Sequence, residues 1–434
     1  MGRLPLSNIR VLDFTLVWAG PFATMMLGDL GAEIVRVESL QHHITNTRGY
    51  IPWPKTREYV AGLGHGASLY AGLDPGEQPW NRHAQFNSLG RNKLSMTADI
   101  TRPEGQAVVH ELVKTADILI ENNMPGMMRR FNLDYSTLRR LNPSLIYVTM
   151  PIFGRTGPYK DYMGWGTNAE GIAGLYALRG YEGDTPEAAP GSNHMDASSG
   201  VAAAYACLMA LLQRRRTGKG MLVEVSQVEH MIHQIGSALM DAAMNGRDAI
   251  PLGDRDAVRA PQGVYPCTGD DAWVAISVGT DSEWAGLCRA IGDAHLSTDP
   301  RYVGNAARQA RHSEIDAIIS RWTQPLSSRE AMTRLQQQGV PAGMVSSDKD
   351  VFEDPQLLAH GFFHPMNHAD CGSHRYPGHS YRSSKLPLRF ETPAPLLGEH
   401  NDYVYKSLLA KTSGEVARLK AEGHIGDCYV PDVE

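Results

Sequence analysis

The first forty residues constrain the fold more than any other stretch of the chain. Ile9 to Phe14 is a short β-branched and apolar run, Gly20-Pro21 marks a loop, and Phe22 to Leu30 has the spacing of a helix; Glu33 to Val37 is apolar again and ends at Glu38. Strand, helix and strand in that order make a βαβ unit, whose crossover calls for a parallel pair. Later segments agree: a helix from about Glu104 to Thr115, a strand Asp117 to Glu121 and a strand Ser144 to Met150. The expected class is α/β with a parallel sheet.

The remaining length needs more than that sheet. At 434 residues, 42% hydrophobic and 20% charged, the chain buries a core and has room for a large α/β body with a smaller one beside it. Ala197 to Arg214 reads as a long Ala, Leu and Met helix closed by Thr217-Gly218, with a strand at Leu222 to Val225. After Met244 the pattern changes to a hairpin within Gly263 to Val278, turning at Thr268-Gly269-Asp270-Asp271, then a helix Asp281 to Ile291 and helical patterns to about Gln338. These features place a large domain at 1–229, a small α+β domain at 230–340, and a return to the first domain at 341–434, with a charged terminal helix. Between Gln41 and Trp80 periodicity gives way to Tyr50, Trp53, Tyr59, Tyr70 and Trp80 among Pro52, Pro54, Pro75 and Pro79. That stretch is either an ordered surface excursion or an aromatic lid.

Charge and composition exclude several functions. Forty-one basic and 47 acidic side chains leave a net charge of -6, so no nucleic-acid partner is expected. No stretch approaches the ~20 apolar residues of a membrane helix, and the start runs into a strand rather than a signal-peptide segment, so a cytoplasmic, membrane-free protein is expected. Cys207, Cys267, Cys288, Cys371 and Cys428 are scattered without a CxxC pair; neither a disulfide framework nor a zinc site is indicated, and isolated thiols read as packing residues.

The dinucleotide fingerprint requires G-x-G-x-x-G, and the turn here, Trp18-Ala19-Gly20-Pro21-Phe22, has one glycine. Glu38 then reads as a solvated strand-end acid. Arg214 to Gly220 lacks the glycine spacing of a phosphate loop and reads as a helix C-terminus, where cations meet the macrodipole. Neither a Gly-x-Ser-x-Gly elbow nor an H-E-x-x-H pair occurs. One acid stands out: Asp196, in Gly191-Ser192-Asn193-His194-Met195-Asp196-Ala197-Ser198-Ser199-Gly200, where a loop opens the long helix. It is either an N-cap or an ionised nucleophile among small residues that let a bulky substrate approach, and pattern alone leaves both open.

The chain resembles the family III CoA-transferases, the group containing formyl-CoA, carnitine and benzylsuccinate CoA-transferases, over nearly its whole length. The resemblance is carried by Val11 to Thr15 with Ala19-Gly20-Pro21, Leu30 to Glu38, Arg91 to Ser95 with Asp99, Glu121 to Gly126, Phe153 to Pro158, the Asp196 segment, Arg216 to Gly220 and Pro393 to His400. It implies a Rossmann-like large domain, a smaller domain and an interlocked dimer, either a homodimer or a heteromer with a related subunit. It also implies Asp196 as the catalytic nucleophile, Leu16, Val17, Trp18 and Ala19 lining a CoA site, and Asn122, Asn123 and Arg130 contacting CoA, the last near a phosphate. The substrates it implies are CoA thioesters and carboxylic acids, with no permanently bound cofactor and an aspartyl-CoA thioester as intermediate.

Departures refine that expectation. Leu16 and Trp18 replace the polar pair beside the formyl-CoA transferase site, which favours a larger, partly apolar or aryl acid and succinyl-CoA as donor, as in the benzylsuccinate-type branch. Gly166 stands where formyl-CoA transferase has an acid, and no glycine-rich loop is evident around Gly263. The α-methylacyl-CoA racemases resemble the same motifs, but their basic histidine falls on Trp165, whose indole has no basic nitrogen; His194 is the substitute to consider.

Overall fold

The computed structural model describes residues 4–431 except 54, 65–68, 182, 186, 188–192 and 387, so Pro54 of the aromatic stretch and Gly191-Ser192 of the Asp196 segment lie outside the described residues. Six strands, β1 (Arg10–Phe14), β2 (Glu33–Glu38), β3 (Lys93–Thr97), β4 (Ile118–Glu121), β5 (Ile146–Thr149) and β6 (Met221–Glu224), form one parallel sheet in the order β3-β2-β1-β4-β5-β6. Val11 pairs with Ile34 on one side and Ile118 on the other, so β1 is central. The order reverses between β1 and β4, and at such a switch point the loops leaving both strands open a crevice where ligands bind.

Alternation along the strands explains why both faces are covered. Val11, Ile34, Ile118, Ile120, Ile146 and Val148 point to one face, where they meet Ala19, Ala23 and Leu27 of α1 (Ala19–Asp29). Leu12, Phe14, Val35, Leu119 and Tyr147 point to the other and meet Val108, Val109 and Leu112 of α2 (Pro103–Val113). Residues near the chain's end complete that second face: Val404, Tyr405, Val416 and Leu419 join the same cluster. Each such side chain contributes roughly 1.5–3 kcal/mol by leaving water.

After the sheet's fifth strand the chain forms α3 (Gly166–Ile172), α4 (His194–Thr217) and α5 (Gln227–Gln234). Ala203, Ala204, Cys207 and Leu211 of α4 pack on the same face as α1. Gly200 is the point of closest approach, since a Cβ there would lie 2.6 Å from the Ala19 carbonyl oxygen. In length and composition α4 is the one described helix that suits a membrane span, with a mean hydropathy of 1.4, which corrects the expectation that no stretch comes near. Its packing on α1 and the sheet identifies it as a core helix. It ends at Gly218, left-handed at φ 69°, whose N–H returns to the Arg214 carbonyl.

Residues Met1–Gly174, Gly191–Gly236 and Gly361–Glu434 form one compact unit, and Leu175–Pro190 with Ser237–His360 form a second. In the second, β7 (Gln262–Pro266), β8 (Trp273–Ser277) and β9 (Ala342–Met344) make an antiparallel sheet backed by α6 (Asp281–Ile291), α7 (His312–Thr323) and α8 (Ser328–Gln337). Its core includes Val274, Ile276, Trp284, Leu287, Ile315, Ile319 and Leu335. The boundaries expected at 230 and 340 are both displaced, because α5 clusters with the large unit and β9 completes the small sheet. In the large unit the chain then adds an antiparallel hairpin, β10 (Phe363–His368) and β11 (Gly372–Pro377), and closes with α9 (Ser413–Ala421).

The aromatic stretch is an ordered excursion. Ile51, Val60 and Tyr70 form their own buried cluster, while Trp80 packs with Leu40, Leu397 and Tyr429. Arg48, 1% exposed, ties it down through both Glu38 oxygens, Asn81 Oδ1 and the Phe86 ring, 3.9 Å from the guanidinium carbon. Glu38 is therefore not the solvated acid expected. Burial would raise its carboxyl, but Arg48 and Arg36 outweigh that and hold it at about 2. Of the five cysteines, Cys207, Cys267 and Cys288 are buried, Cys371 is half-buried and Cys428 is exposed, so packing does not account for the last.

Candidate active site at the sheet switch point and the start of α4

The loop after β1 is held by a buried charge cluster. Asp13, 0% exposed, accepts from the Thr15 N–H and hydroxyl, from the Thr24 hydroxyl and from Lys93 Nζ at 3.3 Å. Burial alone would raise its carboxyl; Lys93 and Arg36 reverse the sign and hold it below the ordinary aspartate value. Lys93 also donates to the Pro21 carbonyl at 2.9 Å, while burial, only partly offset by Asp13, lowers its ammonium to about 8.

On that base the loop takes a strained shape. Val17 sits at φ 64°, a left-handed conformation that a β-branched residue adopts only when its surroundings impose it. Its N–H donates to Thr47 Oγ1 at 3.0 Å, a contact from the aromatic excursion. Asn122, in the loop after β4, accepts the Leu16 N–H at 2.7 Å and donates to the Leu16 carbonyl at 3.0 Å. Asn123 donates to the Phe14 carbonyl at 3.1 Å. The two loops that flank the switch point are thus joined side chain to backbone, and Leu16, Val17 and Trp18 remain half-buried above them. Ala19 is buried and lies beneath Gly200, one turn along α4 from Asp196.

Asp196 lies in the first turn of α4 and does not cap it. Asn193 takes the cap position at φ 49° without a side-chain bond, and the Met195 N–H donates to Glu170 Oε1 of α3 at 3.0 Å. Burial, and secondarily the Glu170 charge, push the Asp196 carboxyl up to about 6, so it is basic for an aspartate and still mostly ionised at neutral pH. A Cβ on Gly166 would come within 2.4 Å of Asp196 Oδ2, which places the first turn of α3 directly against the carboxylate. Sequence reasoning did not single out Glu170 or Thr47. The signal for Glu170 is an acid set among Ala169, Gly171, Ile172 and Ala173.

Arg130 is exposed and sits 5.7 Å from the Phe131 ring. A cavity of about 230 Å³ beside it, at the ends of β4 and β5, is lined by Asn123, Arg129, Tyr147, Arg155 and Lys160, with Arg129 rather than Arg130 on its wall. A second cavity of about 660 Å³ is lined by Trp18, Phe22, Met25, Met26, Leu89 and Val201, with a further ring of residues that includes Arg91. Trp165 is exposed, and His194 Nε2 is engaged 2.5 Å from Gln234 Oε1. Among the described residues no three His, Cys, Asp or Glu side chains converge as a metal site requires.

Fold and site together define a doubly wound α/β protein with an uncapped, basic carboxylate one helical turn from its switch-point loop. The description CoA-transferase family III matches residues 6–401, and the chain belongs to that family. It is a CoA-transferase. The succinyl-CoA–D-citramalate CoA-transferase of Chloroflexus aurantiacus is 31% identical over 424 residues, 96% of this chain and 97% of the relative. The succinate–glutarate CoA-transferase of Agrobacterium fabrum is 33% identical over 406 residues, 93% and 96% of the two chains. A crystal structure of a CAIB/BAIF family protein from Brucella suis superposes with a TM-score of 0.81 at 27% identity, covering 94% of this chain and all of that one.

Proposed function

We propose that this chain moves CoA from succinyl-CoA to a partly apolar carboxylic acid through covalent modification of Asp196. The observation that carries the proposal is a half-buried carboxylate in the first turn of a helix, where Glu170 rather than Asp196 accepts the Met195 N–H, raised to about 6. Its oxygen attacks the thioester carbonyl, a C–O bond forms as the C–S bond breaks, and CoA leaves as thiolate with the electron pair. The thiolate then attacks the aspartyl carbonyl of the mixed anhydride, releasing the donor acid and leaving an aspartyl-CoA thioester. The acceptor carboxylate attacks that thioester, and the thiolate returns to the acceptor acyl carbon, freeing Asp196. One thioester replaces another, so no nucleotide is consumed. Each oxyanion formed on the way calls for donors worth ~3–4 kcal/mol each.

The names of the relatives support succinyl-CoA as donor. The apolar wall of Trp18, Phe22, Met25 and Met26 supports an acceptor with an aryl or alkyl body, such as a substituted succinate, over the short diacids those names carry. CoA itself is assigned to Leu16 to Ala19, Asn122, Asn123 and Arg130. Asp196→Asn and Asp196→Ala are expected to lose at least ~10³-fold in kcat with the fold retained. Mass spectrometry after incubation with succinyl-CoA and hydroxylamine should find the modified carboxylate on the Asp196 peptide. Modification elsewhere, or near-normal turnover in either variant, rejects the assignment. Transfer from succinyl-CoA to a panel of acids identifies the acceptor, and α-proton exchange in heavy water, expected to be absent, separates transfer from racemisation.

The same proposal includes the interlocked dimer. Val201, Tyr205, Met209 and Leu212 recur at helical spacing along α4 and are all exposed in the single chain, an apolar face that a second subunit would cover. The α subunit of the succinyl-CoA–L-malate CoA-transferase of Chloroflexus aurantiacus is 30% identical, which keeps a related subunit in view as that partner. Sedimentation and activity of the chain purified alone distinguish the cases: an active dimer supports a homomer, and an inert chain rescued by a paralogue supports a heteromer.

A further inference from the structure

Gly166 and Glu170 are one turn apart on α3, so both face the start of α4. At Gly166 a side chain is missing where it would strike Asp196 Oδ2, and nothing on that residue shields one carboxylate from the other. Glu170 is 0% exposed; its Oε1 accepts the Met195 N–H, and its Oε2 has no partner among the described residues. Ser199 Oγ, one turn beyond Asp196 on α4, is also buried without a partner. An unpaired oxygen on a buried acid is costly, yet a neutral glutamine at 170 would make the same bond to Met195. The anchoring bond therefore does not explain the charge.

We infer that Glu170 is a positioning residue for the transfer reaction: it takes the backbone donor at the helix start in place of Asp196, and its negative charge disfavours the free Asp196 carboxylate relative to the neutral covalent forms. The inference rests on the nucleophilic role of Asp196. When Asp196 attacks, its electron pair becomes the new C–O bond and the pair of the broken C–S bond departs on the CoA sulfur. One negative charge then moves away from Glu170, and like-charge repulsion present in the free enzyme is absent in the anhydride and in the aspartyl-CoA thioester. The effect is differential, as catalysis requires.

Other groups at this corner do not supply the same charge. On α4 itself His194 engages Gln234, and on α5 His230 contacts the same glutamine, its imidazole lowered by burial and by His233 and His194. On α1 the single titratable side chain is Asp29 at the far end, where Arg91 pairs with it.

The test is Glu170→Gln in the full-length enzyme, which keeps an acceptor for Met195 and removes the charge, with Glu170→Ala as the variant that loses both. In Glu170→Gln the acid limb of kcat/KM against pH, which reports the free carboxylate, is expected to move from about 6 to lower pH, while the larger part of the shift, due to burial, stays. The fraction of enzyme trapped as aspartyl-CoA should fall, and kcat should drop roughly tenfold, the equivalent of one pKa unit, with KM for succinyl-CoA little changed. An unchanged acid limb and unchanged adduct fraction in a folded Glu170→Gln enzyme overturn the inference, as does a loss confined to KM. If wild-type enzyme forms no adduct on the Asp196 peptide, the nucleophile assignment has failed first, and the role of Glu170 falls with it; an adduct in wild type that is insensitive to Glu170→Gln leaves the nucleophile standing and removes only Glu170.

Discussion

Asp196 trades stability for reactivity, and the sign of that trade is measurable. Its folded value near 6 lies above the ordinary 3.8, so between about pH 4 and 6 the folded state holds a proton that the unfolded chain has released. Stability from this group is complete below that window, declines as pH rises through it, and is at its lowest above about 6. Replacing the carboxyl by an amide removes the penalty. Asp196→Asn is accordingly expected to be more stable than wild type by about 2 kcal/mol at pH 7.5, allowing for partial solvation, with the difference vanishing near pH 4. Urea denaturation of both proteins at the two pH values checks this, since titrating groups that do not interact with Asp196 cancel in the comparison. Gly166 belongs to the same account, because the close approach of α3 leaves no room for a methyl group beside the carboxylate.

At the scale of elements, the site is a junction of two loops and two helix starts, and the loops depend on each other. Asn122→Ala removes both bonds that fix the Leu16 peptide, each worth about 1 kcal/mol. With Val17 strained beside it, the loop is expected to relax; KM for succinyl-CoA should rise several-fold or more while kcat changes less, as steady-state kinetics will show. Unchanged KM would separate this loop from the substrate. Much of this element-level architecture is legible in the amino-acid order. The βαβ start, the strands at 118–121 and 146–149 and the helices at 103–113 and 281–291 lie within a few residues of where periodicity puts them, because alternation and capping residues such as Thr280 and Glu283 act locally. The hairpin at 363–377 is not legible because residues such as Ser373 and His374 are exposed and give no apolar alternation, and the third strand of the small sheet is not because its three residues owe their form to β8, about seventy residues earlier. The candidate nucleophile is visible as an acid at a helix start. Its freedom from capping is not, because that depends on Glu170, 26 residues earlier, arriving from another helix.

For the molecule as a whole, residues 400–425 complete the sheet of the large unit. His400 donates its N–H to the Ser95 carbonyl at 2.9 Å, Asn401 accepts the Thr97 N–H at 2.8 Å, and Val404, Tyr405, Val416, Leu419 and Ile425 bury themselves on the face of the sheet opposite α1. Ending the chain before residue 400 strips both the edge strand and that face. Such a truncation is expected to abolish cooperative thermal unfolding of the large unit; calorimetry of the shortened protein beside the full chain decides. The arrangement also sets an order of events on the ribosome. The parallel sheet is fully synthesised once Glu224 has emerged, yet the face that α2 covers in part lacks the rest of its cover until Val404, Tyr405, Val416 and Leu419 clear the exit tunnel, long after the small unit's own strands are free to pair. At 5–20 residues per second this leaves roughly 10–40 s of exposed apolar surface in each round of translation, a window in which a nascent chain of this design depends on chaperones rather than on its own contacts.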